Sequence, residues 1–264
     1  MKQRVISAIV ALIIAIPIII LGGIPYYIGV IAVALIGYYE LLRVRESERK
    51  ISPIVKVLSA LMYVLIVISP LTTNINFFLD YRLVVLDFFV CFLPLIVLDK
   101  KVYDAEDALV LVASTLFLGI AFSYLITIRN MDILYLIYVA LITIMSDTFA
   151  HFFGTKIGKH KLCPAVSPNK TVEGMVGGVF FGTFLGMVFF KTFIDVSADL
   201  FLVIVVSLVL SLIAEFGDLV FSAIKRKFGV KDFGNIMPGH GGILDRLDSI
   251  LFAIIAFSYL VSFF

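Results

Sequence analysis

Charge is scarce in this chain of 264 residues: Asp, Glu, Lys and Arg make up 15% of it, while 62% is hydrophobic. A soluble domain carries about 25% charged and about 45–50% apolar residues. So few charges do not cover a water-facing surface, and so apolar a chain does not stay disordered. Cysteine is nearly absent, with Cys91 and Cys163 alone, which excludes a disulfide-stapled scaffold. The three histidines, His151, His160 and His240, have no metal-ligand spacing, so a His/Cys zinc site is not expected. The glycine spacing of a Walker loop and the nucleophile elbow of a hydrolase are missing as well. A net charge of +2 is too small to make nucleic acid the main partner. No low-complexity tract or clear internal repeat stands out. What the chain has instead is long apolar runs.

A bilayer core about 30 Å thick takes about 20 mostly apolar residues per helix. Nine stretches meet this: 5–21, 24–42, 54–71, 83–98, 108–128, 133–153, 172–190, 200–221 and 242–263. The expected fold class is an all-α polytopic membrane protein of about nine transmembrane helices, with no room for a separate soluble domain. A transmembrane β-barrel would alternate in polarity, and 9–20 does not. The first stretch is long for the core of a secretory signal, and 22–25 makes a poor cleavage site, so it reads as an uncleaved span. With the N-terminus cytoplasmic, only Arg82, Arg129 and Lys191 of the 21 Lys and Arg fall on the far side, and the other 18 face the cytoplasm. The positive-inside rule therefore predicts a cytoplasmic N-terminus and a C-terminus on the opposite side. Cys163 is then a free thiol in a reducing compartment, apart from Cys91. Residues 1–130 are expected to be a scaffold, offering an oligomer or lipid interface. Residues 131–264 are expected to be the catalytic region, with a polar site facing the cytoplasm.

Polar chemistry is thin in the first half. Asp87 sits in an apolar run, either as a functional intramembrane carboxylate or as a buried polar residue near a helix end, with Arg82 and Asp99 nearby. Asp104, Glu106 and Asp107 read as an acidic first turn favoured by the helix dipole. The second half differs. Asp147 lies near the end of the sixth stretch, before the polar run Gly154–Thr155–Lys156–Ile157–Gly158–Lys159–His160–Lys161. Then comes Ser167–Pro168–Asn169–Lys170–Thr171–Val172–Glu173–Gly174. Hydroxyls, glycines and lysines of this kind bind phosphate oxygens, although an ordinary basic loop against anionic headgroups has the same composition. Ser167–Pro168 reads as a turn and Thr171 as the N-cap of the seventh helix, where anions are favoured. Gly174, Gly178, Gly182 and Gly186 form one stripe of that helix, the small-residue pattern of close helix packing.

Where the eighth stretch runs on to Arg226, Glu215, Asp218, Ser222, Lys225 and Arg226 fall on one helix face. An ion pair of Asp218 with Arg226 or Lys225 would satisfy the acid without any function. The ninth stretch opens with Asp245 and Asp248, which share a face. Hard oxygens from Asp218 and Asp245 suit Mg2+, which takes one or two carboxylates plus substrate phosphates and waters. Lys225, Arg226, Lys231 and Arg246 would neutralise phosphates.

The run Ser222–Ala223–Ile224–Lys225–Arg226, then Lys231–Asp232, then His240–Gly241–Gly242–Ile243–Leu244–Asp245–Arg246–Leu247–Asp248 resembles the signature of the phosphatidate cytidylyltransferase (CDP-diacylglycerol synthase) family. Asp147, the Gly154–Lys159 run and Ser167–Gly174 resemble a second region of the same family. Met237 stands where the family more often has Leu, Ile or Phe. By motif the resemblance covers about residues 140–264; the first half matches only in being hydrophobic and multi-span. The resemblance implies that CTP and phosphatidic acid give CDP-diacylglycerol and pyrophosphate with Mg2+, at the cytoplasmic membrane of the cell, in a homodimer. It makes Asp218, Asp245, Lys225 and Arg226 catalytic. It gives Asp218, Asp245 and Asp248 to Mg2+, with Asp248 as a further ligand or an orienting group. Ser167, Asn169, Lys170 and Thr171 would hold the nucleotide. Asp147 would meet cytosine, ribose or a second cation, Ser222 metal or phosphate, and Lys231, His240 and Arg246 substrate.

Two rivals remain at this stage. A CTP-dependent lipid kinase would transfer the γ-phosphate and release CDP. An ion-coupled transporter also carries intramembrane carboxylates, but tends to place them near the midplane between inverted repeats.

Overall fold

The structure is a computed structural model that describes residues 2–71, 104–237, 239 and 241–264, without the side chains of 2–6 and 8. Asp87, Arg82, Asp99, Cys91, His240 and the expected span 83–98 lie outside the described residues. Eight apolar helices are described: α1 Lys2–Leu21, α2 Gly23–Arg45, α3 Pro53–Ile68, α4 Ala105–Met131, α5 Ile133–Lys156, α6 Val172–Phe189, α7 Leu200–Lys227 and α8 Leu244–Leu260. Seven of them, counted with the short turns that extend α3, α6 and α8, are long and apolar enough to cross a membrane; α1 contributes a shorter apolar helix, Ile9–Leu21. The chain is an all-α polytopic membrane protein, with one small addition described below.

The helices sort into two compact units. The first holds Met1–Thr127 with Asp232–Asp245, and the second Ile128–Lys231 with Arg246–Phe264. In the first unit, polar groups on apolar helices find partners on neighbouring helices. Tyr38 of α2 stacks on Tyr63 of α3 with ring centroids 4.5 Å apart. The Tyr38 hydroxyl shares a 3.0 Å hydrogen bond with Thr115, and the Tyr63 hydroxyl donates to the Ala34 carbonyl at 3.0 Å. Glu106 and Asp107 do form an acidic first turn, in α4. Asp107 also takes the Arg45 guanidinium at 2.9 Å in a buried ion pair, and Arg49 pairs with Asp104. Burial of Asp107 is thus balanced by a cation as well as by the helix dipole.

In the second unit, Asp132 and Asp199 accept from the N–H two residues on and so start α5 and α7. Between α5 and α6 runs an antiparallel hairpin of β1 Lys161–Cys163 and β2 Ser167–Thr171. This corrects the expected turn at Ser167–Pro168: the turn is at 164–166, and Ser167–Pro168 opens the strand. A two-stranded ribbon has only edges, so Pro168 removes no interior ladder bond. Thr171 caps α6 as expected, its hydroxyl oxygen accepting from the Gly174 N–H at 3.1 Å. Cys163 is an exposed free thiol.

The glycine stripe of α6 lies against α5. A Cβ on Gly174 would come within 2.6 Å of the Ala150 carbonyl, and one on Gly178 within 2.6 Å of the Ser146 carbonyl. On Gly186 it would meet the Ile142 side chain at 2.6 Å. Two of these three neighbours are backbone, which cannot swing aside. Gly178→Val is therefore expected to force the helices apart and destabilise the protein by about 1–3 kcal/mol or more. The thermal midpoint in detergent checks this; a midpoint equal to that of the wild type would show that the contact is not needed.

Candidate active site

The polar face of α7 is built as its spacing predicts. Glu215, Ser222 and Lys225 are buried on it, and Asp218 is part-exposed. Glu215 is 1% exposed, and a carboxylate so placed needs strong partners. They come from two elements. The Ser146 hydroxyl on α5 donates to Glu215 Oε1 at 3.1 Å, and Ser211 donates to Ser146. The Lys170 ammonium on β2 bonds Glu215 Oε2 at 2.8 Å and Asp218 Oδ2 at 2.8 Å. The Ser222 hydroxyl donates to Asp218 Oδ1 at 3.3 Å. The cation paired with Asp218 is neither of the alternatives on its own helix, Lys225 or Arg226, but Lys170, which arrives from outside the helix. Arg226 turns to the backbone instead, donating to the carbonyls of Val166 and Val230. Burial alone would disfavour the Lys170 charge, but the carboxylates of Glu215 and Asp218 outweigh it and hold the ammonium above its ordinary range.

Helix α8 brings a second set of carboxyl chemistry. Asp248 is buried and accepts from the Ser249 N–H at 2.9 Å, while the Ser249 hydroxyl donates to Asp147 Oδ2 of α5 at 3.3 Å. Gly217 lets α8 approach α7: a Cβ there would sit 3.1 Å from the Asp248 carbonyl and 2.9 Å from the Phe252 ring. Asp147 is within electrostatic reach of Glu215, Asp218 and Lys170, and Asp248 within reach of Asp218, Asp147 and Lys225. Four carboxyl groups thus share two ammonium groups. Among the described residues no three His, Cys, Asp or Glu side chains converge in an arrangement that would hold a metal on their own. The donor set nonetheless fits Mg2+, which needs only one or two carboxylates when phosphates and water complete its shell.

A cavity of about 580 Å3 opens beside this network. Asp147, Ser167, Asn169, Lys170, Thr171 and Asp218, all singled out from the sequence, line it together. So do Thr155 and Lys161 of the run read as phosphate-binding, Glu215 of the polar α7 face, and His151, to which the sequence gave no role. Its signal was partly present, since Asp147, His151 and Gly154 recur at helical spacing on one face of α5. Glu173 does not line the cavity. It accepts from the Lys159 and His160 N–H groups and from the His160 ring at 2.6 Å, tying the preceding loop to the start of α6.

The loop into α8 belongs to the first unit. Asp245 Oδ2 accepts from the Phe233 N–H at 2.8 Å and from the Gly242 N–H at 2.9 Å. Met237 and Gly241 exchange two backbone hydrogen bonds. Gly241 has φ 88°, and a Cβ there would stand 3.0 Å from the Asp245 carboxylate, so glycine is required. Lys231 and Arg246 are exposed at the two ends of this segment.

Helices long and apolar enough to cross a membrane hold a cavity lined by hydroxyls, carboxylates and lysines, a lining that suits phosphate-bearing substrates in an integral membrane protein. The comparisons with known proteins give the family. Residues 2–264 match the Cytidylyltransferase family. The phosphatidate cytidylyltransferase of Staphylococcus haemolyticus is 36% identical over 258 residues, covering 96% of each chain. Those of Staphylococcus epidermidis and Staphylococcus aureus are 37% identical over 255 and 258 residues, again with 96% of each chain covered. The chain belongs to the cytidylyltransferase family and is a nucleotidyltransferase. The match runs through the N-terminal half, where the motifs alone gave only hydrophobic character.

Proposed function

We propose that this chain joins CTP to phosphatidic acid to give CDP-diacylglycerol and pyrophosphate, with Mg2+, at the cytoplasmic face of the cell membrane. The observation that carries the reading is the cavity in which Lys170, held between Glu215 and Asp218, stands among the hydroxyls and amide of Ser167, Thr171 and Asn169. In the reaction, a phosphate oxygen of phosphatidic acid forms a bond to the α-phosphorus of CTP. The bond from that phosphorus to the bridging oxygen breaks, and its electron pair leaves with pyrophosphate. The lipid phosphate is already ionised at neutral pH, so no general base is required. The protein's work is positioning and charge stabilisation.

Ser167, Asn169, Lys161 and His151 are assigned to binding and orienting the nucleotide. Lys225, Arg226, Lys231 and Arg246 are assigned to phosphates of either substrate. Asp218 and Asp248 would hold Mg2+, with Asp245 one turn ahead of Asp248 on α8. Bound there, the ion would screen charge on the triphosphate and its leaving group. The cytoplasmic orientation rests on the distribution of Lys and Arg, and a homodimeric state on the family resemblance.

Purified protein given phosphatidic acid micelles and CTP labelled at the α or γ position tests the reaction. The α label is expected in the lipid and the γ label in pyrophosphate. A γ label in the lipid, with release of CDP, would instead mean a lipid kinase.

A further inference from the structure

We infer that Glu40, the one acidic residue of helix α2, is a positioning residue for cytidylyl transfer. It acts through the loop that leads into α8. Its side chain is 1% exposed. A carboxylate so deep needs strong hydrogen-bond partners, and Glu40 finds them far along the chain. Oε1 accepts from the Ile243 N–H at 3.0 Å and Oε2 from the Leu244 N–H at 3.0 Å. These are donors at the start of α8, which no helical carbonyl satisfies. A helix start is usually capped by a Ser, Thr, Asp or Asn immediately before it. Here Gly241–Gly242–Ile243 precedes α8 and has no such side chain, so a residue about 200 positions earlier supplies the cap. Charge also suits the place, because the positive end of the helix dipole lies there.

The loop is shaped around this carboxylate. A Cβ on Gly242 would come within 2.5 Å of Glu40 Oε2, and one on Gly234 would collide with Oε1. Gly37, one turn earlier on α2, makes room for the Leu244 side chain, which a Cβ would meet at 3.0 Å. Glu40 and Asp245 together take the N–H groups of Phe233, Gly242, Ile243 and Leu244. The aim of the Asp245 carboxylate therefore depends on where Glu40 holds the first turn of α8. A neutral isostere would not do the same: a Gln side chain offers one acceptor oxygen and turns an N–H2 donor toward the second N–H.

The inference rests on the catalytic role that the family resemblance gives Asp245, and the test separates the two. Glu40→Gln, Asp245→Asn and the double variant are assayed in detergent for CDP-diacylglycerol formation over a Mg2+ series, beside hydrogen exchange. Glu40→Gln is expected to lower kcat by about 10–100-fold and to raise the Mg2+ concentration for half-maximal rate. The double variant should be no slower than Asp245→Asn alone. Amides of Phe233, Gly242, Ile243 and Leu244 should exchange about 10-fold faster or more, while those of α5 and α7 stay as in the wild type. Wild-type kcat and Mg2+ dependence in Glu40→Gln, or losses that multiply in the double variant, would overturn the inference. An Asp245→Asn enzyme of normal activity would overturn the role of Asp245, while faster exchange in Glu40→Gln would still show Glu40 holding the loop. If Glu40→Gln does not fold, exchange in the wild type decides. Ile243 and Leu244 amides as labile as those of the exposed residues 235 and 236 would overturn it.

Discussion

Asp218→Asn is expected to reduce CDP-diacylglycerol formation by about 10²–10³-fold with little loss of folded protein. One Asp218 oxygen takes the Lys170 ammonium at 2.8 Å and the other takes the Ser222 hydroxyl at 3.3 Å. An Asn amide keeps the shape and one acceptor but removes the charge. Lys170 keeps its bond to Glu215 at 2.8 Å, so β2 stays anchored to α7 and the cavity keeps its walls. What is lost is a hard anionic oxygen on the cavity surface, the kind of ligand Mg2+ requires. The residual rate should also need more Mg2+ to saturate. Initial rates over a Mg2+ series, with thermal midpoints measured beside them, check both effects. Near-normal turnover at ordinary Mg2+ would remove Asp218 from the metal assignment.

The local parts of this site were legible in the sequence because they are periodic. Glu215, Asp218, Ser222 and Lys225 share a face of α7 by helical spacing alone, the α6 glycines recur every fourth residue, and Thr171 precedes an apolar run as caps do. The pairing was not legible. Asp218 has Lys225 and Arg226 within two turns of its own helix, so nothing local favours Lys170, which precedes it by 48 positions. Lys170 reaches Asp218 because Ser167–Thr171 forms a strand, and Pro168 argues for a turn until the ribbon is seen to be all edge. Glu40 was the least legible. It lies in a half whose polar residues drew little notice, and its partners are backbone N–H groups, which no sequence pattern displays. Periodicity reports which residues share a face; it does not report which distant group completes a buried charge.

Lys170→Met should therefore do more than remove one cation from a binding surface. Glu215 would keep the Ser146 hydroxyl, yet at 1% exposure it would hold a negative charge with its bonded cation gone. Breaking a buried ion pair from one side costs about 3–5 kcal/mol. Lys170 is itself 18% exposed, so the lower end of that range is expected. The pair's contribution is steady near neutral pH. Because the folded protein raises the affinity of Lys170 for its proton, the stabilisation is fully present below the ordinary lysine value, about 10.4. It is lost only as pH climbs beyond that through the raised folded value. Glu215→Gln in the same chain should restore most of the stability of Lys170→Met, since it removes the stranded charge. It should not restore turnover, because Asp218 still lacks its cation and the cavity its ammonium. Denaturation midpoints of both single variants and the double variant give the coupling energy, and CTP turnover of the double variant gives the functional half. Additive stability losses would mean that the Lys170–Glu215 pair does not anchor the hairpin. Normal turnover in the rescued double variant would mean that Lys170 serves the fold alone.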